Sequence, residues 1–172
     1  MESVLPKRKT LRLQGHDYST PGYYFVTLCT EEKRQFLSKI VWEGLVDAPK
    51  LILSDVGKIV ERELESVETH YTNVKIDKYV IMPNHIHMII CITERINPFP
   101  TSPKYDIPNV VGKFKAAVTR NVGKAFMPSA KTRLWQRGYH DHIIRGERDY
   151  LKIWEYIDTN PARWESDCFY SE

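Results

Sequence analysis

Residues 79–92 read YVIMPNHIHMIICI, a run of apolar and β-branched residues that is typical of buried β-strands. Pro83-Asn84 divides the run and predicts a tight hairpin, with one strand before it and another that begins at His85. Side chains alternate between the faces of a strand, so His85 and His87 share one face while Ile86 lies on the other. The stretch therefore predicts two neighbouring imidazoles on one face of a sheet, an arrangement that can bind a metal ion. Two half-exposed histidines with ordinary hydrogen bonds remain the alternative.

The segments on either side of this hairpin predict the rest of one sheet. Aromatic and β-branched residues predict a first strand at 23–30. A loop or short hairpin is expected over 31–48, with Trp42 and Leu45 folding back on the protein. The remaining strands are predicted at 74–82, 85–93 and 134–144.

Apolar residues at helical spacing predict three helices. Ser54 is a candidate N-cap for the first, and the glutamates that follow make this helix unsuited to contact DNA. The second helix is predicted at 107–126, after a proline-rich surface loop at 95–108, and the third at 147–163. Pro128-Ser129 is expected to end the second helix. This order of elements predicts an α+β, ferredoxin-like or RRM-like split βαβ fold: a four-stranded antiparallel sheet with an added C-terminal helix.

Length and composition predict one globular domain over residues 1–172. No apolar stretch reaches the roughly 20 residues that a membrane-spanning helix needs, and the N-terminus lacks the apolar core of a signal peptide. The expectation is a cytoplasmic protein that does not contact membranes. The three cysteines are widely spaced, which is typical neither of a disulfide framework nor of a metal cluster.

The charge distribution favours a nucleic-acid partner more than the net charge of +3 does. Residues 104–145 contain nine Lys or Arg and two Asp, whereas residues 147–172 contain three Lys or Arg and seven Asp or Glu. A basic middle of the chain suits phosphate binding, although sequence cannot place these charges on one side. The candidate phosphate contacts are Lys113, Lys115, Arg120, Lys124, Arg133, Arg137 and Arg145, together with Lys7, Arg8, Lys9 and Arg12 of the N-terminal arm.

A second motif lies in the predicted last helix, where residues 155–161 read EYIDTNP. Tyr156 and Asn160 are four residues apart and therefore share one helical face, and Pro161 lies where the helix could end. The phenol is a candidate nucleophile and the amide oxygen a candidate third metal ligand. Packing of Tyr156 on the core and a helix-end role for Asn160 are the alternatives.

Together the two motifs resemble a known family. The stretch Met82-Pro83-Asn84-His85-Ile86-His87-Met88 resembles the His-hydrophobic-His signature of the single-tyrosine HUH transposases, the IS200-like family. The stretch EYIDTNP is similar to the nucleophile helix of their REP-associated branch. Residues 22–27 (GYYFVT) and 134–142 (LWQRGYHDH) are further matches, and the resemblance extends from about residue 11 to residue 164.

The resemblance implies a metal-dependent, single-strand DNA endonuclease and strand transferase that acts in transposition. Tyr156 would form a 5′-phosphotyrosine, and His85, His87 and Asn160 would bind Mg²⁺ or Mn²⁺, with Mn²⁺ bound more tightly because imidazole suits it better. This ligand set contains no carboxylate. The implied substrate is single-stranded or hairpin DNA, such as the palindromic elements on which the REP-associated branch acts. The protein would work as a monomer or a homodimer.

Several alternatives stay open on the sequence alone. Tyr139 and Tyr150 are rival nucleophiles, and His140 and His142 are candidate general bases for the tyrosine. A rolling-circle replication initiator or relaxase would use the same cut, and a metal phosphoesterase would cut without a covalent adduct. A non-catalytic nucleic-acid-binding domain of the same fold would need neither the metal nor Tyr156.

Overall fold

The computed structural model describes residue 13 and residues 15–44, 48–94, 105–126 and 133–170. The N-terminal arm with Lys7, Arg8, Lys9 and Arg12 lies outside the described residues, as do Leu45, most of the proline-rich loop, and Pro128-Ser129. The elements in chain order are β1 (Gly22–Cys29), β2 (Ser38–Val41), β3 (Lys50–Leu53), α1 (Asp55–Glu65), α2 (Val67–His70), β4 (Val74–Ile81), β5 (His85–Ile92), α3 (Ile107–Phe126), β6 (His140–Ile144) and α4 (Glu147–Thr159).

The main sheet has four antiparallel strands in the order β4-β5-β1-β6. The α+β, split βαβ prediction is therefore confirmed, since β1 pairs with β5 on one side and with β6 on the other, and β4 lies at the edge beyond β5. Strands β2 and β3 pair only with each other among the described residues, and their hairpin extends past the loop or short hairpin predicted at 31–48, since β3 begins at Lys50. Trp42 does not fold back: it lies just beyond β2, on the connection of this separate hairpin, and 58% of its surface is exposed. No described helix is both long enough and apolar enough to cross a bilayer.

Strand β5 is buried along its whole length, because both faces of the sheet are covered there. Its even-numbered residues, which include Ile86 and Met88, join the hydrophobic core formed with α1 and α3. The odd-numbered face carries His85 and His87 and meets α4, whose Tyr156 contacts His87. Strand alternation therefore places Ile86 and Met88 on the face that packs in the core, and His85 and His87 on the opposite face, as the sequence predicted.

The fourth strand is shorter than predicted. Only His140–Ile144 forms a ladder with β1, whereas the residues before it make a single bridge between Thr30 and Trp135. The carbonyls of residues 136, 137 and 138, which the longer strand would have included, accept hydrogen bonds from the ammonium group of Lys115 in α3.

The last helix also ends earlier than predicted, at Thr159 instead of residue 163. Proline cannot donate the backbone hydrogen bond that would continue the helix, and Pro161 opens a 3₁₀ turn over Pro161–Ser166. This turn redirects the chain, and Phe169 after it packs on the face of the sheet that carries His85 and His87.

Gly57 allows the first turn of α1 to lie close to the backbone carbonyl of Leu37. A Cβ added there would lie 2.1 Å from the Leu37 carbonyl oxygen, which already accepts hydrogen bonds from Ser54. We expect Gly57→Ala to lower the free energy of unfolding by about 1–3 kcal/mol, the usual cost of overpacking. Gly112→Ala is the matched control in α3, where nothing lies within 4 Å of the added Cβ. It should stabilise the protein by about 0.5–1 kcal/mol, and urea unfolding of both variants tests the contrast.

Candidate active site

The two strand histidines form a buried imidazole pair. His85 and His87 are both 0% exposed, and their Nε2 atoms lie 3.0 Å apart. Two ligand atoms at about 2.1 Å from one octahedral cation are separated by about 3 Å. The spacing of the two nitrogens therefore fits a shared metal ion.

The hydrogen bonds on the far side of each ring fix its orientation. Asn84 donates through Nδ2 to the carbonyls of Lys33 (3.2 Å) and Phe169 (2.9 Å), so its Oδ1 must be the acceptor that faces His85 Nδ1 at 2.8 Å. His85 Nδ1 therefore carries the proton, and its Nε2 presents a lone pair to the site. On the second ring, Thr27 Oγ1 lies 2.8 Å from His87 Nδ1 and holds that imidazole in place.

Burial keeps both imidazoles neutral. It lowers the pKa of His85 to about 4, although the negative charge of Asp167 acts in the opposite direction. Burial, and then the neighbouring His85, also lower the pKa of His87 well below its ordinary value. Neutral imidazole is the form that binds metals, so both rings are competent ligands near neutral pH.

A carboxylate that the sequence analysis missed completes this cluster. Ligand atoms of Asp167, His85 and His87 lie within 4.8 Å of one another. Asp167 Oδ2 accepts hydrogen bonds from the Tyr156 hydroxyl (3.0 Å) and Asn160 Nδ2 (2.6 Å), and Oδ1 accepts from the Phe169 amide (2.6 Å). Burial alone would raise the pKa of Asp167, but these bonds hold it below its ordinary value. The sequence predicted no carboxylate in this ligand set, whereas the structure places Asp167 beside the two imidazoles.

Asn160 lies where the helical spacing placed it, beside Tyr156 at the site. It is 1% exposed, and its Oδ1 is buried with no hydrogen-bond partner among the described residues. An unsatisfied buried carbonyl oxygen is unfavourable unless a cation or water binds it. Together with the neutral imidazoles, this free oxygen makes the donor set fit a divalent metal ion.

The Tyr156 hydroxyl faces the imidazole pair. It lies 3.2 Å from His87 Nε2, and the ring packs against His87 and Phe25. Burial, followed by the negative charge of Asp167, raises the pKa of Tyr156 above its ordinary value. In this arrangement the phenol keeps its proton, and a nucleophilic role requires an electrophile or cation that stabilises the phenolate.

None of the rival groups contacts the Tyr156 hydroxyl within the described part of the chain. Tyr150 donates to Asp77, 73 residues away in sequence, and Tyr139 belongs to the core cluster on the helix side of the sheet. His142 Nε2 pairs with Asp149 at 2.8 Å, and the His140 ring packs on Phe169 at 5.7 Å. The groups that contact the Tyr156 hydroxyl are His87 and Asp167, not either of the histidines proposed as general bases.

The 3₁₀ turn and the chain after it cover the imidazoles. The Phe169 ring lies 4.9 Å from the His85 ring and 5.6 Å from the His87 ring, and Trp164 lies 5.8 Å from His85. Lys33 Nζ also donates to the Cys168 carbonyl oxygen. Nothing in the sequence pattern predicted this cover, because its contacts are made between residues far apart in the chain.

The structure places most of the predicted phosphate contacts within the described residues on exposed surface. Lys115 is the exception, because it is half-buried and its ammonium group binds the carbonyls of residues 136, 137 and 138 at 2.5–3.3 Å. Lys115 therefore acts within the fold, as a structural clamp. The exposed candidates are Lys113, Arg120, Lys124, Arg133, Arg137 and Arg145.

Comparison with known proteins gives one family. Residues 19–160 match the family described as Transposase IS200 like. A Haemophilus influenzae protein described only as uncharacterized is 35% identical over 95% of this chain and 93% of its own length. A second protein of that organism, provisionally named a REP-associated tyrosine transposase, is 23% identical over 86% of this chain and 74% of its own.

Solved structures show the same fold. The structure of a REP-associated tyrosine transposase bound to a REP hairpin aligns with a TM-score of 0.61 and 20% identity, over 86% of this chain and 71% of that one. The crystal structure of a provisionally named transposase from Deinococcus radiodurans aligns with a TM-score of 0.50 and 19% identity, over 86% and 97% of the two chains.

Proposed function

Because the chain belongs to the IS200-like transposase family, we propose that it cleaves and rejoins single-stranded DNA with Tyr156 as the nucleophile. The observation that carries this proposal is the contact of the Tyr156 hydroxyl with His87 Nε2 at 3.2 Å, beside a second imidazole at 3.0 Å. A phenol held against one imidazole of a neutral pair suits metal-assisted phosphoryl transfer to tyrosine.

The reaction conserves the energy of the phosphodiester bond. The Tyr156 oxygen forms a bond to phosphorus while the bond from phosphorus to the 3′ oxygen breaks, which gives a 5′-phosphotyrosine and a 3′-hydroxyl. The phenol proton leaves toward its hydrogen-bond partner Asp167 Oδ2, because the lone pair of His87 Nε2 would hold the metal, and the departing 3′ oxygen takes up a proton. A 3′-hydroxyl of another strand can later reverse these steps and rejoin DNA without ATP.

The residues that would hold a divalent metal are His85, His87 and Asn160 through its free Oδ1, with Asp167 as a further oxygen ligand. When bound, the ion would neutralise and orient the scissile phosphate as a Lewis acid. Imidazole ligands favour Mn²⁺ over Mg²⁺, which prefers an all-oxygen environment. Asp167 reduces the net positive charge of the site if it remains a ligand during the reaction.

We propose DNA hairpins with single-stranded flanks as the substrate. The relative whose structure aligns over most of this chain is bound to a REP hairpin, and the exposed basic residues of α3 and of the segment before β6 suit a phosphate backbone. Single-stranded DNA at the scissile bond fits because the phenol must reach a backbone that is free of its complement.

The test is to incubate the protein with end-labelled hairpin oligonucleotides in Mn²⁺ or Mg²⁺ and to separate the products on a denaturing gel. A slowly migrating protein–DNA adduct that a chelator prevents supports the proposal. Cleavage without an adduct would instead identify a hydrolytic phosphoesterase. Metal-independent binding with neither product would identify a non-catalytic nucleic-acid-binding domain.

The cover over the imidazoles predicts a rate effect. With His85 and His87 at 0% exposure, a phosphate cannot contact them until the chain around Phe169 moves away. We expect Phe169→Ala to raise the initial rate of adduct formation several-fold, because it removes the ring that packs on both imidazoles. Tyr170→Ala is the neighbouring control, since Tyr170 contacts Trp164 and not the imidazoles. An unchanged or lower rate in Phe169→Ala would show that the ring does not restrict access.

A further inference from the structure

One row of paired residues across the sheet carries a third histidine on the face that bears His85 and His87. Thr27 of β1 pairs with His87 of β5 on one side and with His140 of β6 on the other. Directly paired residues of neighbouring strands point to the same face, so His140 shares this face with the imidazole pair. Neighbouring strands are about 4.8 Å apart, which places the His140 backbone about 10 Å from that of His87.

The Phe169 ring packs against both ends of this row. Its centre lies 5.6 Å from the centre of the His87 ring and 5.7 Å from the centre of the His140 ring. This ring must move away before a phosphate contacts His85 and His87, because both are fully buried. The space that it leaves is bordered by His87 on one side and by His140 on the other. A phosphate bound there at the imidazole pair therefore faces His140.

Tyr156 and His140 approach this space from opposite edges of the sheet. The C-terminal half of α4, which carries Tyr156, is held on the edge strand β4, where Asp158 pairs with Lys78. His140 belongs to β6, the other edge strand. The attacking and leaving oxygens of a phosphoryl transfer lie roughly in line, on opposite sides of phosphorus. With the phenol on the β4 side, the departing oxygen faces the β6 side, where His140 lies.

The surroundings of His140 suit a proton donor. Its side chain is exposed, so solvent can return a proton to the ring after each reaction. No hydrogen bond or ion pair engages its imidazole within the described part of the chain, whereas His142 on the same strand pairs with Asp149 at 2.8 Å. Histidine is the side chain that most often serves as a general acid near neutral pH.

We propose that His140 is the general acid that protonates the departing 3′ oxygen. This inference rests on the proposed function, because it assigns the proton that the leaving group takes up in the same reaction. As the Tyr156 oxygen bonds to phosphorus, the bond from phosphorus to the 3′ oxygen breaks, and the protonated ring of His140 gives its N–H proton to that oxygen. In the rejoining step the neutral ring accepts the proton of the attacking 3′-hydroxyl.

The test compares adduct formation on two 3′-end-labelled hairpin oligonucleotides, once cleavage of the natural hairpin has located the scissile bond. One carries the natural phosphodiester there, and the other has sulfur in place of the bridging 3′ oxygen. A thiolate leaves without a proton, because a thiol has a pKa of about 8.5, far below that of an alcohol. His140→Phe keeps an aromatic ring against Phe169 but has no proton to donate. We expect it to slow adduct formation about 100-fold on the oxygen substrate and to keep the native rate on the sulfur substrate.

His142→Phe is the matched control, since His142 lies on the same strand and the same face. It should leave the ratio of the two rates at the native value, and a selective loss on the oxygen substrate in this variant alone would overturn the inference in favour of His142. If His140→Phe slows both substrates by the same factor, or slows neither, the inference is overturned and the proposed function stands. If the native protein forms no adduct with either substrate, the proposed function is wrong and the inference fails with it.

Discussion

Replacing Tyr156 by Phe is expected to abolish the covalent protein–DNA adduct while leaving DNA binding intact. The change removes only the hydroxyl that lies 3.2 Å from His87 Nε2 and 3.0 Å from Asp167 Oδ2. The ring contacts with Phe25 and His87 are retained, so the fold should not change. Loss of a nucleophile costs a rate factor of about 10³ or more, which takes the adduct below detection on a denaturing gel.

Tyr150→Phe is the matched control for this experiment. Tyr150 lies on the same helix, but its hydroxyl donates to Asp77 instead of facing the imidazoles. We expect this variant to form the adduct at the native rate. An adduct that survives in Tyr156→Phe and disappears in Tyr150→Phe would show that Tyr150, and not Tyr156, is the nucleophile.

The sequence predicted the parts of the fold that depend on local periodicity. Alternation along β5 placed His85 and His87 on one face, and the apolar stripe of α3 gave the bounds that the structure has, Ile107–Phe126. Helical spacing likewise brought Asn160 to the side of Tyr156. These predictions succeeded because strand and helix geometry alone decide which side chains share a face.

The parts that the sequence did not predict depend on contacts between distant segments. Asp167 reaches the site only because the 3₁₀ turn after Pro161 reverses the chain, and nothing in its own neighbourhood indicates a functional carboxylate. The sequence predicted Lys115 as a phosphate contact, whereas in the structure its ammonium group donates to three backbone carbonyls. The basic character of a stretch therefore identifies a class of partner, whereas the role of each lysine or arginine depends on what packs beside it.

Replacing His87 by Ala is expected to eliminate tight Mn²⁺ binding and, with it, the metal-dependent adduct. His87 offers a neutral Nε2 to the site, 3.0 Å from His85 Nε2. Because His87 is fully buried, the alanine variant would leave a buried gap in place of this ligand. Thr27→Val probes the same ligand without removing it, because it deletes only the hydroxyl at 2.8 Å from His87 Nδ1 and keeps the side-chain shape. Loss of such an outer hydrogen bond costs about 10–100-fold in metal affinity, so Thr27→Val should fall between the native protein and His87→Ala.

Titration calorimetry with Mn²⁺ alone measures this order of affinities without DNA, and circular dichroism checks that each variant folds. His70→Ala is the control, since His70 is an exposed residue of α2 that bonds to Ser66 and lies apart from the imidazole pair. It should bind Mn²⁺ as the native protein does. Equal affinity in the native protein, Thr27→Val and His87→Ala would place the metal elsewhere. An intermediate Thr27→Val would show that the hydrogen bond between Thr27 and His87 contributes to metal binding.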